Sequence, residues 1–389
     1  MQIAFYNRAS FPRSYAVMRV TIEQSNLLKS LGHVYRVVER RNTIPILSNV
    51  LLKADGGDLQ LKATDLDLEI FEKTPAVVEE AGSTTVPAHM LYEIIRKLPS
   101  GSEIMLSIDD ESTTLKIASG RSQFTLQMLP VEDFPDISAG EFSHSFSCAT
   151  GELRKLISHT QFAISTEETR YYLNGIFLHT VEDEGETFLR AVATDGHRLA
   201  RSQTSAPDGA NGMPGIIIPR KAVGEIQRLV EDPDAAVHVE LSDSKIRLSV
   251  GETILTSKLI DGTFPDYNRV IPAGNDKALV MERSIFASAV DRVSTISSER
   301  GRAVKLTLSE GQMVLSVNNP DSGTAEEEIA VNYTSDDLQI GFNSRYLLDI
   351  TNQLTGDEAT FMLSDPGSPT LIKDSNESGA IYVLMPMRV

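Results

Sequence analysis

"ATDGHRLA" at residues 193–200 has a counterpart, "ATDLDLEI", at residues 63–70. The offset is 130 residues, and the same 130 separates Phe134 of "DFPDI" from Phe264 of "TFPDY". Two independent matches at one spacing mark an internal repeat. "TVPAHMLYEIIRKL" (85–98) resembles "IIPRKAVGEIQRLV" (217–230), and "GFNSRYLLDITNQL" (341–354) is a weaker third relative. The openings agree as well: "MRVTIEQSNLLKSL" (18–31), "HSFSCATGELRKLI" (144–157) and "KALVMERSIFASAV" (277–290). Each begins with alternating apolar residues and passes into a 3.6-residue apolar period, as at Leu27, Leu28 and Leu31. Alternation predicts a strand and the second period an amphipathic helix. Short alternating runs such as "LQLKAT", "VHVEL" and "VKLTL" lie between them, joined by turn sequences such as "DGG" and "SEG". Each copy is expected to run strand, helix, several strands, helix, several strands. The fold class is α+β, with antiparallel sheets and helices segregated to one face. The expected divisions are a 1–17 extension and three similar domains, 18–141, 142–276 and 277–389.

Bulk properties agree. A chain of 389 residues exceeds the roughly 100–150 of one ordinary domain. Its hydrophobic content of 41% and charged content of 23% fit a soluble globular protein. One cysteine, Cys148, excludes an intramolecular disulfide framework and a cysteine-based metal cluster, and fits a reducing, cytoplasmic setting. No apolar run is long enough to span a bilayer, and residues 1–17 lack the apolar core of a secretory signal. No cofactor or metal is expected.

The charge is unevenly spread. The formal net charge is −18, yet the six expected helical segments (24–41, 88–98, 150–164, 220–230, 283–302 and 344–354) together carry +9, leaving −27 elsewhere. The plain account is lysine and arginine on solvated helix faces. The alternative is one shared surface facing a polyanion, contacting phosphate independently of base sequence.

Thr194, Asp195, Gly196, His197 and Arg198 stand in a row and admit three readings. A hydrolase would use Asp195 and His197. A structural turn would use Thr194 and Asp195, which recur at Thr64 and Asp65. A binding surface would use what only the second copy has, Gly196, His197 and Arg198. The C-terminal "AIYVLMPMRV" (380–389) poses a similar choice. Tyr382 to Leu384 fit a core strand, whereas Met385-Pro386-Met387 suits an adaptable, partner-binding edge.

"NTIPILSNVLL" (42–52), "RYYLNGIF" (170–177), "ATDGHRLA" (193–200), "TSKLIDGTFPDYNRVIP" (256–272) and "YVLMPMR" (382–388) resemble the bacterial DNA polymerase III β subunits, the sliding clamps, from Met18 onward. The resemblance implies the DNA clamp fold. In it, a head-to-tail homodimer forms a ring, helices line the hole around duplex DNA, and the sheets lie outside. It implies a non-enzymatic processivity factor in replication and repair that tethers the replicative polymerase, the clamp loader, repair polymerases and other clamp-motif proteins. The implied peptide pocket comprises Leu173, Thr194, Gly196, His197, Arg198, Leu199, Pro265, Val270, Val383, Met385, Pro386 and Met387. The implied DNA contacts are Arg41, Tyr171, Tyr172, Arg220, Lys221, Arg269 and Arg302, and the implied dimer contacts are Phe124 and Leu126 against Ile296. Two positions depart from the family pattern: a pocket position that is serine in well-known members falls near Pro369 here, and Glu167 stands for a DNA-contacting glutamine.

Overall fold

The structure, a computed structural model, describes residues 17–110, 112–137, 140–298, 302–376 and 379–388. The expected extension falls outside the described residues except for Val17, as do Glu299, Arg300 and Val389. Six α-helices are described: α1 (Gln24–Val34), α2 (Ala88–Lys97), α3 (Thr150–Ser158), α4 (Arg220–Leu229), α5 (Arg283–Ser294) and α6 (Ser344–Thr351). Each is entered directly from a strand: Met18–Glu23, Gly82–Pro87, His144–Ala149, Ile216–Pro219, Lys277–Glu282 and Leu338–Asn343. The sixfold strand-to-helix switch is the one the sequence periods predict.

The entries differ in chemistry. Pro87 and Pro219 cap α2 and α4, where a fixed φ turns the chain without leaving an unused donor. At α6 the Asn343 side chain accepts from the amides of Arg345 and Tyr346 at 3.0 and 3.4 Å. α1 buries Leu27, Leu31 and Val34, spaced four and three apart on one face. It ends earlier than the sequence period suggests. Past Val34 the amides of Val37 and Val38 bond three residues back, and both valines turn into the core. Arg36, Arg40 and Arg41 therefore stand beyond the helix.

The chain forms two compact units. The first contains residues up to Glu141 together with Arg247–Ser257. Its five-stranded sheet places Ser122–Gln127 at one edge. Its other strands run Gly82–Pro87, Asn49–Asp55, Asp58–Thr64 and Leu68–Pro75, and Thr253 to Ser257 extend them along Leu68–Pro75. Residues 247–257 thus pack with the first copy's strands although they lie in the sequence of the second.

The second unit contains residues 142–246 and 258–389. Its eight-stranded antiparallel sheet carries Gly175–Asp183, Glu186–Thr194 and Arg198–Ser205 in succession, then Ala380–Leu384, Thr370–Asp374, Glu358–Leu363 and Lys277–Glu282, with Ile216–Pro219 at the far edge. Ala380–Leu384 is buried at every residue and paired on both sides, so it is a central strand. Tyr382 to Leu384 are thus the core strand expected of them. A four-stranded sheet in the same unit has Gly323–Ala330 at its edge. Among the described residues no helix is long and apolar enough to cross a membrane.

The two "ATD" sequences make the same turn. Leu66 N and Gly196 N donate to Thr64 Oγ1 and Thr194 Oγ1 at 3.0 and 3.1 Å. Asp65 Oδ1 accepts from the amides of Asp67 and Leu68 at 2.9 and 2.7 Å, and Asp195 Oδ1 from those of His197 and Arg198 at 2.9 and 3.0 Å. The residue after the aspartate has positive φ in both, 80° at Leu66 and 88° at Gly196. Thr64→Val and Thr194→Val, each close to isosteric, are expected to destabilise the chain by about 1 kcal/mol through the lost amide acceptor. Urea unfolding of the two variants checks this, and a cost at only one site would refute the shared scaffold role.

Candidate functional site

Around the second of these turns opens a mainly apolar cleft of about 300 Å³. Its walls include Leu173, Leu199, Val383, Pro265, Val270 and Met385, with Thr194, Gly196 and Arg198 at one side. Leu173, Val192, Leu199, Ile217, Phe264, Tyr267 and Val383 form the buried cluster beneath it. Val270 and Met385 at its mouth are 46% and 39% exposed, so large apolar side chains face solvent where the cleft opens.

Three strand ends and one turn place these groups. Met385 leaves the central strand and its amide donates to His197 O at 2.9 Å, fastening the C-terminal segment to the turn. Opposite, Tyr267–Val270 forms a short 3-10 turn started by Asp266, whose side chain accepts from Asn268 N. Arg170 lies over Gly196, and a side chain there would strike its guanidinium. Positive φ and this overlay together explain why the second copy has glycine where the first tolerates Leu66.

Arg198 lines the cleft, but its polar edge faces inward. Its Nε reaches Asp195 Oδ2 at 3.1 Å, Nη1 reaches Asp349 Oδ2 at 2.6 Å, and Nη2 donates to Phe162 O at 2.6 Å. Its face lies over Tyr346, 4.3 Å from the ring centroid, and over Phe162 at 5.0 Å. The guanidinium therefore ties the turn to α6 and to the segment after α3. It offers an incoming molecule its hydrocarbon stem.

Nine of the twelve expected pocket residues line this cleft: Leu173, Thr194, Gly196, Arg198, Leu199, Pro265, Val270, Val383 and Met385. His197, Pro386 and Met387 do not. The His197 ring stacks near Tyr346, with centroids 6.4 Å apart, and Met387 N donates to Gly341 O at 2.8 Å. They form a continuation of the surface toward α6. Arg170, Asp266 and Tyr267 line the cleft and were not singled out from the sequence, although both motifs that contain them were. Tyr172, expected at DNA, also lines it. Pro369 lies outside the lining; its carbonyl accepts from Asn275 Nδ2 at 2.9 Å. Glu167 pairs with Arg170 at 2.8 Å, and that guanidinium holds its carboxyl below the usual range.

Asp195 engages two turn amides and Arg198, and none of the hydrogen bonds described for it goes to the His197 ring. An acid–base pair needs that link. Among the described residues no group of three or more His, Cys, Asp or Glu could hold a metal ion. Cys148 is partly buried, and burial pushes its thiol up to about 11.

The remaining expected residues are dispersed. Arg220 and Lys221 open α4 beside a trough with Ser165, Thr166, Asn174 and Arg228, the last paired with Glu225, which also lines it. Arg302 lines another trough with Ser294, Ser297, Ser298, Ser344 and Arg345. Arg41, Tyr171 and Arg269 are exposed, and Arg269 Nε bonds Asp266 Oδ2 at 2.9 Å. Phe124, on the sheet-edge strand, is 37% exposed, Leu126 is buried, and Ile296 is partly buried.

Residues 18–138, 148–266 and 268–388 match in turn the N-terminal, central and C-terminal domains of the DNA polymerase III beta subunit. The chain belongs to this family. A beta sliding clamp of Caulobacter vibrioides is 53% identical over 372 residues, covering 96% of this chain and 100% of that one. The Escherichia coli K12 beta sliding clamp is 40% identical over 375 residues, with the same coverage. A crystal structure of a Bartonella birtlesii DnaN sliding clamp (DNA polymerase III subunit beta) bound to griselimycin is 59% identical, with TM-score 0.93 over 96% of this chain and 100% of that one. The fold is the three-domain DNA clamp fold, and the chain is a non-catalytic processivity clamp of DNA replication that works with DNA and polymerase. The hydrolase reading of Asp195 and His197 is set aside by the family and by the engaged carboxylate.

Arg198→Met leaves Asp195 and Asp349 without their shared counter-charge and is expected to destabilise the second unit by about 3–5 kcal/mol. Chemical denaturation measures it; a loss below about 1 kcal/mol would mean the guanidinium behaves as a surface ion pair.

Proposed function

We propose that the cleft receives short apolar peptide segments from the replicative polymerase's catalytic subunit, the clamp loader, repair polymerases and other clamp-motif proteins. The observation that carries this reading is an open apolar cleft whose wall residues Arg170, Thr194, Arg198, Asp266 and Tyr267 have their polar groups already bonded within the chain. It can stay open in water and fill with apolar side chains without stranding a buried charge. The stretch from His197 to Met387, continuous with it, extends the docking surface toward Tyr346.

The chain acts as a cytoplasmic head-to-tail homodimer, a ring of six similar domains (18–141, 142–276 and 277–389 in each copy) around duplex DNA. The edge strands Ser122–Gln127 and Gly323–Ala330 support the dimer, since an unpaired edge is a template for another chain. Phe124 supplies exposed apolar surface on the first. Leu126, being buried in its own sheet, contributes chiefly by shaping that strand, and Ile296 stands on the opposing face.

Arg41, Tyr171, Tyr172, Arg220, Lys221, Arg269 and Arg302 contact the duplex. Arg220 and Lys221 support this most directly. They sit at the positive end of the α4 dipole, where cations are locally unfavourable. An anion in the adjoining trough would relieve that repulsion. Phosphate contacts of this kind carry no base sequence and exchange along the duplex. Enclosure retains the ring, and a weakly bound polymerase stays at high effective concentration.

Removing residues 385–389 is expected to abolish polymerase stimulation while sedimentation still gives a dimer mass; unchanged stimulation would refute the cleft assignment. Lys221→Ala is expected to lower the salt slope of DNA binding by about one unit, read by titration at several salt concentrations. An unaltered slope would remove Lys221 from the DNA face. Loaded clamps should persist on circular DNA and leave linear DNA, and equal retention would overturn the ring.

A further inference from the structure

Behind the cleft lies a polar network that sequence reasoning did not single out. The Tyr267 ring lines the cleft and is only 5% exposed. Its hydroxyl meets His179 Nε2 at 3.0 Å and Arg190 Nη1 at 3.1 Å. His179 Nδ1 lies 3.0 Å from Thr180 O. A carbonyl only accepts, so Nδ1 carries the proton and Nε2 presents a lone pair. The Tyr267 hydroxyl therefore donates to His179 and accepts from Arg190. Arg190 is held in turn by Gln203 Oε1, at 2.9 Å from Nε and 2.6 Å from Nη2. The arrangement closes only with a neutral imidazole.

Protonating His179 breaks this order. Nε2 then donates, and the hydroxyl oxygen faces two donors that are both cationic. The charged groups around the imidazole are mostly of its own sign. Arg190 faces it from Glu186–Thr194 and Arg201 stands near Arg190 on Arg198–Ser205, while Asp183, at the strand end, lies 3.6 Å from Arg190. Ile216–Pro219 brings no charge, and the Tyr267 turn brings Asp266 and Arg269, bonded to each other. Phe177 stacks on the imidazole at 4.6 Å between centroids. Burial, with Arg190 adding to it, pushes the His179 pKa down from its ordinary value.

Tyr267 is the inward anchor of the turn bearing Pro265 and Val270, the outer lip of the cleft. The Asp266 contacts to Asn268 N and Arg269 Nε make this lip a compact piece that follows its anchor. We propose that His179 and Arg190, acting through Tyr267, are positioning residues for the peptide cleft, and that protonation of His179 releases the lip and weakens docking in mildly acidic solution. The proposal rests on the peptide reading of the cleft. The sign follows from the neutral form being the one that fits. Docking is full above the ordinary histidine pKa and is lost as pH falls through the lowered one.

The test uses the full-length clamp and a fluorescein-labelled, histidine-free peptide from the clamp-binding segment of a replicative polymerase, titrated by anisotropy from pH 8 to 5.5. The wild type is expected to lose affinity several-fold by pH 5.5, short of the roughly ten-fold ceiling that a one-unit pKa shift sets. His179→Gln, which keeps an acceptor but no titrating group, is expected to bind somewhat more weakly at pH 8 with a flat profile. His238→Gln, at an exposed histidine outside the cleft lining, should retain the wild-type slope. Equal slopes in wild type and His179→Gln would overturn the proposal. An imidazole NMR titration of the wild type gives a check that needs no variant, because linkage is reciprocal. Saturating peptide should lower the His179 pKa by about one unit, and an unmoved pKa would overturn the proposal. Failure of the wild type to bind at pH 8 would instead refute the peptide reading, and the network's role with it.

Discussion

The bonding of the Arg198 guanidinium is the constraint on which the second unit's functional surface depends. It has three partners from separate stretches of chain: Asp195 in its own turn, Phe162 after α3, and Asp349 on α6. A cation this enclosed is tolerated only when its donors are matched, so each of the three partners matters to the others. The matching fixes the turn, and the turn fixes where Met385 leaves the central strand, through His197 O. The cleft is thus framed by an electrostatic knot but lined by hydrocarbon. Its strength as scaffold and its neutrality as surface have the same origin.

Much of this was legible in the sequence because it was written more than once. The repeat carried the six strand-to-helix switches, and comparing Thr64 and Asp65 with Thr194 and Asp195 separated scaffold from addition. The structure then gave both turns the same side-chain acceptors. Nine cleft residues were nameable because they sit in long motifs resembling a known family. What was not legible arises from approach in space. Arg170 matters because it lies over Gly196, and Tyr267 because its hydroxyl finds His179 and Arg190. No period or spacing encodes such meetings. Helix ends were misjudged for a related reason. Val37 and Val38 extend the apolar pattern of α1, but the chain turns to bury them.

The charge split survives in altered form. Arg36, Arg40 and Arg41 lie past the end of α1, so part of the basic character belongs to connecting turns rather than to helices. The trough beside Arg302 is lined by Ser294, Ser297, Ser298 and Ser344, and the one beside Arg220 by Ser165 and Thr166, so both cations have hydroxyl neighbours. Hydroxyls and guanidinium groups together suit a polyanion's oxygens without demanding one geometry.

The cleft's opposing walls have one more consequence. Leu173, Pro265 and Val383 come together from three distant parts of the chain. Contacts between such remote segments are slow to form, because closing long loops comes before any gain from burial. A peptide lodged among them, as proposed above, would bridge all three segments, and a ligand that binds only the folded unit adds to its cohesion.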